Sequence, residues 1–134
     1  MKQKWWYNDA QMTHKILKGK KKLKLAVIGS RELHIKVEDM SKYISPQVTE
    51  LVSGGARGVD SCARMYAVLH NIPIKEFFSD YPRFGRAAPL KRNLQIVEYA
   101  DEILAFWDGH SRGTAYTLQK AEKMCKKIKV VRIN

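Results

Sequence analysis

Val52-Ser53-Gly54-Gly55-Ala56-Arg57-Gly58-Val59-Asp60 joins a short apolar strand to a helix through three glycines. Glycine accepts positive φ and lets a ligand approach the main chain. The helix that follows begins with N–H groups lacking intrahelical partners and with a partial positive charge. The pattern fits a phosphate-bearing ligand, and taken alone it fits a tight strand-to-helix turn as well. Two more junctions of this kind shift the balance. Leu25-Ala26-Val27-Ile28 runs into Gly29-Ser30-Arg31, after which Leu33, Val37, Met40 and Ile44 recur at helical spacing. Ile103-Leu104-Ala105-Phe106-Trp107 runs into Asp108-Gly109-His110-Ser111-Arg112-Gly113-Thr114, ahead of a helix with Ala115, Leu118, Ala121 and Cys125 on its inner face. In an open parallel sheet all such loops leave from one edge, so the three converge where these sheets bind ligands.

The alternation is βαβαβαβαβ, with strands near 23–28, 49–53, 73–78, 102–107 and 127–133 and helices near 33–45, 58–71, 87–100 and 113–126. It predicts a single three-layer α/β/α Rossmann-like domain with a mainly parallel five-stranded sheet. Right-handed crossovers give the order 3-2-1-4-5 and put the Gly29 and Gly113 loops at the switch point. Pro73 opens its strand and Pro89 falls in the first turn of its helix, where a missing N–H costs little.

With 134 residues, 45% of them apolar, the chain suffices for one packed domain. Its apolar runs are too short to span a bilayer and its start lacks the apolar core of a secretory signal, so a cytoplasmic protein with no membrane partner is expected. Cys62 and Cys125 fall inside predicted helices without Cys or His at metal spacing, which predicts buried free thiols, no disulfide and no metal site. The net charge is +12, and residues 1–22 hold seven lysines against one acid, Asp9, for half of that excess. The chain therefore divides into a basic arm, 1–22, and a body, 23–134. In the arm, Trp5-Trp6-Tyr7 and Lys18-Gly19-Lys20-Lys21-Lys22 could stack on bases and grip a single-stranded backbone. The arm could equally be a solvated tail, or dock on the body or a second subunit.

The ordered series Gly29-Ser30-Arg31, Ser53 to Asp60, Lys91-Arg92-Asn93 and Ser111-Arg112-Gly113-Thr114 resembles the SLOG superfamily of Rossmann-like nucleotide-binding domains. The stretch from Phe78-Ser79-Asp80-Tyr81 to Gly85-Arg86-Ala87-Ala88-Pro89 is similar to its YspA-like branch. The resemblance spans about residues 24–133. It implies a sensor or processing domain for a nucleotide or nucleotide-derived ligand, ADP-ribose-like molecules included, in a bacterial or phage setting, and a homo-oligomer. Two better-known relatives divide the alternatives. Lonely Guy phosphoribohydrolases carry a Glu where this chain has Thr117, and a hydroxyl cannot supply the charge that helps break an N-glycosidic bond. DNA-processing protein A, whose glycine loop and Arg-Asn helix resemble Ser53–Asp60 and Arg92-Asn93, implies single-stranded DNA as a partner, and a basic chain suits nucleic acid.

Within the body, Gly29, Ser30, Gly54, Gly55, Gly113 and Thr114 are expected to offer N–H groups and hydroxyls to phosphate oxygens. Arg92 adds a charge-assisted contact, bidentate where geometry allows. The resemblance adds Ser53, Ala56, Gly58, Asp60, Asn93 and Ser111 to the ligand-binding set. Arg31, Asp80 and Asp108 are candidates for contacts to ribose or beside phosphate. Were the domain catalytic, Asp60, Asp80 and Asp108 would be the carboxylates available, and each has an ordinary alternative as a helix cap or turn residue. His110 faces the presumed ligand, whereas His14, His34 and His70 have no recognisable partner. Trp107 either stacks on a base or finishes the core.

Overall fold

A strand whose consecutive residues are all apolar belongs in the middle of a sheet covered on both faces. β1 (Lys24–Gly29) is such a strand, with Leu25, Ala26, Val27 and Ile28 all buried. It pairs in parallel with β2 (Glu50–Ser53) on one side and with β4 (Glu102–Trp107) on the other. β3 (Ile74–Glu76) continues the sheet beyond β2, and β5 (Lys127–Arg132) continues it beyond β4. The order is β3-β2-β1-β4-β5 with every pairing parallel, the Rossmann-like arrangement that the element pattern predicts. The structure is a computed structural model and describes residues 21–133, so His14, the aromatic trio and the arm up to residue 20 lie outside the described residues.

Alternation along each strand sorts the core into two halves. Leu25, Val27, Leu51, Leu104 and Phe106 point to one face, where they meet Met40 from α1 (Val37–Ser41) and Val59, Ala63 and Tyr66 from α2 (Val59–Leu69). Ala26, Ile28, Val52, Ile103 and Ala105 point to the other. There they meet Ile96 and Val97 from α4 (Ala88–Tyr99) and Ala121 from α5 (Arg112–Lys123). Between β3 and α4 the chain makes a short helix, α3 (Tyr81–Phe84), and a 3₁₀ turn over Gly85–Ala87. Asp80 caps α3 by accepting from the Arg83 N–H at 3.2 Å, and Pro89 lies in the first turn of α4. Among the described residues no helix is long and apolar enough to cross a membrane.

Three local expectations are corrected. The helix expected over 33–45 is only Val37–Ser41. Ahead of it the Leu33 N–H closes a turn on the Ser30 carbonyl, and after it Tyr43 and Ile44 bond three residues back, so the same apolar face packs from turns. β3 stops at Glu76, short of the expected 78. Cys125 is exposed, not buried in a helix. α5 ends at Lys123, and Cys125 takes the left-handed position (φ 57°) of a Schellman cap in which Lys126 N–H reaches the Ala121 carbonyl and Cys125 N–H that of Glu122. Asn71 (φ 58°) ends α2 in the same way. Cys62 is buried as expected.

The close approach of β1 to its neighbours leaves Gly29 no room. A Cβ there would lie 2.6 Å from Val59 Cγ2 and 2.7 Å from the Phe106 carbonyl oxygen, whereas one on Gly113 meets nothing within 4 Å. Gly29→Ala is expected to lower stability by about 1–3 kcal/mol. Gly113→Ala, inside α5, should leave stability unchanged or raise it by about 0.5 kcal/mol. Urea unfolding of the two variants beside the parent checks the contrast, and equal midpoints would contradict this packing.

Candidate functional site

The pairing register brings the ends of the central strands level, Ala26 opposite Val52 and Gly29 opposite Phe106, so the loops that follow leave from one edge. They enclose a cavity of about 500 Å³, within the usual size range of small-molecule sites. Gly29, Ser30, Arg31 and Glu32 line it from the loop after β1. Gly54, Ala56 and Asp60 line it from the loop after β2 and the first turn of α2. Asp108, His110, Ser111, Gly113, Thr114 and Thr117 come from the loop after β4 and from α5. α4 closes the remaining side with Arg92 and Asn93 and with apolar Pro89, Leu90 and Ile96.

Four residues expected at the site are not on this wall. Ser53 is fully buried below it, and its Oγ accepts from the Gly55 N–H at 3.4 Å. Gly55 (φ 68°) and Gly58 (φ 73°) shape the turn from behind, since a side chain on Gly55 would strike the Phe78 ring and one on Gly58 the Arg31 carbonyl. Their positive φ is the reason glycine stands there. Asp80, the cap of α3, is exposed and also off the wall. His34 and His70 are exposed, with His70 stacked on Tyr66 at 4.1 Å. Trp107 is half-buried, its indole N–H donating to the Ser111 carbonyl at 3.1 Å.

Arg92 is a tie between elements. Its Nη1 donates to the Gly54 carbonyl at 2.7 Å and to the Phe77 carbonyl at 3.4 Å, while Nε donates to Asn93 Oδ1 at 2.8 Å. One guanidinium thus joins α4 to the loops after β2 and β3, and Nη2 alone has no partner among the described residues. Burial lowers the pKa of this guanidinium, Asp60 works against that, and the charge of Arg31 adds to it. Asp60 accepts the Ala56 N–H on Oδ2 at 3.1 Å. Burial pushes its carboxyl above the ordinary aspartate range, outweighing the Ala56 bond, the Arg92 charge and the Ser53 hydroxyl.

Asp108 sits in the opposite environment. Its Oδ1 accepts the His110 and Ser111 N–H groups, both at 2.8 Å, and these bonds hold its carboxyl below the ordinary range. A carboxylate already occupies the start of α5, where Ser111 Oγ also accepts from the Thr114 N–H at 3.4 Å. Thr117 is buried at the wall and its hydroxyl donates to the Gly113 carbonyl at 2.8 Å. Ser30 is buried too, and its Oγ has no hydrogen-bond partner among the described residues. That hydroxyl lies near enough to Asp108 to help lower its pKa, though it makes no contact that meets hydrogen-bond distance and angle. Among the described residues no three His, Cys, Asp or Glu side chains group to hold a metal ion.

Glu32, Ile96 and Leu90 are wall residues that motif reading passes over. Ile96 follows Arg92 by one helical turn, a spacing that puts both on one face. Glu32 pairs with Arg57 at 2.8 Å, linking the first two glycine loops through exposed side chains.

Residues 15–76 match the family model described as DNA recombination-mediator protein A. Over that stretch the chain is similar to DNA-processing protein A. That match supports the SLOG-type relation read from the motifs, and it takes in β1 through β3 with the first two glycine loops. The Arg92 helix and the Asp108–Thr114 loop lie beyond the segment aligned to DNA-processing protein A. No curated protein and no solved structure gives a significant match.

Lysine cannot reproduce a fork that holds two carbonyls and Asn93. Arg92→Lys is therefore expected to lower stability by about 1–3 kcal/mol, read from urea unfolding, because the Gly54 and Phe77 carbonyls lose a buried donor. Asp60 supplies a pH test. Its raised pKa means that the folded state keeps the proton to higher pH than the unfolded state. Stability from this group therefore declines as pH rises through the window just above the ordinary aspartate range. Asp60→Asn should remove that decline, so as pH rises above the ordinary aspartate range the parent loses stability relative to the variant. Parallel curves would refute the assignment.

Proposed function

We propose that this SLOG-type domain binds a nucleotide or nucleotide-derived metabolite in the cavity, with its anionic group on the side of Gly54, Ala56, Arg31 and Arg92. The observation that carries the reading is the meeting of two cations at one side of the cavity. Arg31 lies close enough to depress the pKa of Arg92, and Arg92 stands directly on the Gly54 carbonyl. Two like charges facing one cavity favour an anion between them. The apolar side formed by Leu90, Pro89 and Ile96 offers a surface for the flat face of a base.

Asp108 refines the phosphate contacts expected from the sequence. Its carboxylate satisfies the loop before α5, so an anion at Gly113 and Thr114 would meet a like charge, whereas toward β2 the cations of Arg31 and Arg92 outnumber the Asp60 carboxylate. A second reading, single-stranded nucleic acid, is favoured by the match to DNA recombination-mediator protein A and by the +12 net charge. It predicts steep salt dependence.

Calorimetry of the full chain with AMP, ADP-ribose, NAD and a short single-stranded DNA at two salt concentrations separates the readings. Saturable binding of a mononucleotide is expected. Arg31 is exposed, so Arg31→Ala should weaken that binding about tenfold while stability stays within about 0.5 kcal/mol. Binding of the oligonucleotide alone, lost at high salt, would replace the first reading with the second.

A further inference from the structure

Ser30 is only 5% exposed, and its Oγ is the one buried side-chain oxygen or nitrogen without a partner among the described residues. A buried hydroxyl left unpaired destabilises a fold, so its presence on a cavity wall points to a ligand group that completes it. The register sets its neighbour. Gly29 stands opposite Phe106, and Ser30 N–H donates to the Phe106 carbonyl at 3.4 Å, so Ser30 and Asp108 leave adjacent strands at almost the same level. Both line the cavity.

We propose that Ser30 Oγ and Asp108 Oδ2 together receive the vicinal diol of a ribose, which makes the ligand a ribonucleotide and not a deoxyribonucleotide. The inference rests on the reading of the cavity as a nucleotide site. Charge excludes phosphate from this end, because Asp108 already serves as the anion there. A sugar hydroxyl is a donor and suits a carboxylate oxygen. Geometry disfavours a guanine edge, which asks for both oxygens of one carboxylate. Asp108 Oδ1 is committed to the His110 and Ser111 N–H groups, so a single oxygen remains. One carboxylate oxygen beside one serine hydroxyl matches two adjacent sugar hydroxyls, the first donating to Oδ2 and the second exchanging a hydrogen bond with Ser30. The cavity then has a cationic end at Arg31 and Arg92 and a hydroxyl-reading end at Ser30 and Asp108.

The test is calorimetric titration of the full chain with AMP, 2′-deoxy-AMP and GMP, repeated on Ser30→Ala and Asp108→Asn. AMP should bind at least about tenfold tighter than 2′-deoxy-AMP, as expected for a hydroxyl bonded to a charged acceptor. Both variants should bring the ratio within about threefold by weakening AMP and sparing 2′-deoxy-AMP. Asn keeps the side-chain oxygen that accepts the two loop N–H groups. Ser30→Ala should melt no lower than the parent, because it removes an unpaired hydroxyl, whereas a structural serine would lose stability. Equal binding of AMP and 2′-deoxy-AMP by the parent overturns the diol and leaves the nucleotide reading standing. A preference for GMP with no ribose dependence also overturns it, in favour of base recognition. Binding of none of the three overturns the diol, and failure of ADP-ribose and NAD as well overturns the nucleotide reading with it. If Asp108→Asn fails to fold, the parent ratio and Ser30→Ala decide the matter.

Discussion

Burial of β1 on both faces is the constraint on which the molecule depends. A strand with no solvent face must have a neighbour on each side and a helical layer above and below, and parallel pairing satisfies this only with crossovers. Every strand then points the same way. The loops after β1, β2 and β4 are brought together because the core leaves them no other exit, and the missing side chain of Gly29 lets β1 run close beside the Phe106 carbonyl and Val59.

At that edge the polar groups divide by what already satisfies them. Arg92 spends Nη1 and Nε on its own fold, and its buried charge is compensated in part by Asp60. Neither is a free surface group, which is how two ionisable side chains can lie so deep. Asp108 is bound by two backbone donors and stays anionic at the cavity wall. The result is a chamber with Arg92, Arg31 and Asp60 toward β2, Asp108 toward β4, and apolar α4 residues alongside.

The sheet order and the edge that carries the cavity were legible because they follow from apolar runs, glycine spacing and the handedness of crossovers. Most residues singled out for ligand contact also line the cavity, since motif position and loop position coincide in this fold. The exceptions have physical causes. Gly55 and Gly58 stand where positive φ is required, so they shape the loop from behind its lining surface. Asp80 serves a helix whose existence, Tyr81–Phe84, the apolar pattern did not announce. The unpartnered state of Ser30 and the engagement of Arg92 with two carbonyls depend on contacts between residues far apart in sequence. No local pattern encodes them.

The left-handed cap at the end of α5 separates the chain's two cysteines chemically. Cys62 lies in the core and burial raises its thiol pKa, which suppresses the reactive thiolate. Cys125 stands exposed where α5 hands over to β5, at the edge of the sheet opposite the ligand cavity. The native chain thus carries one addressable thiol far from its binding groups. A fluorophore or spin label attached there would sense motion of the α5–β5 junction without obstructing the cavity mouth.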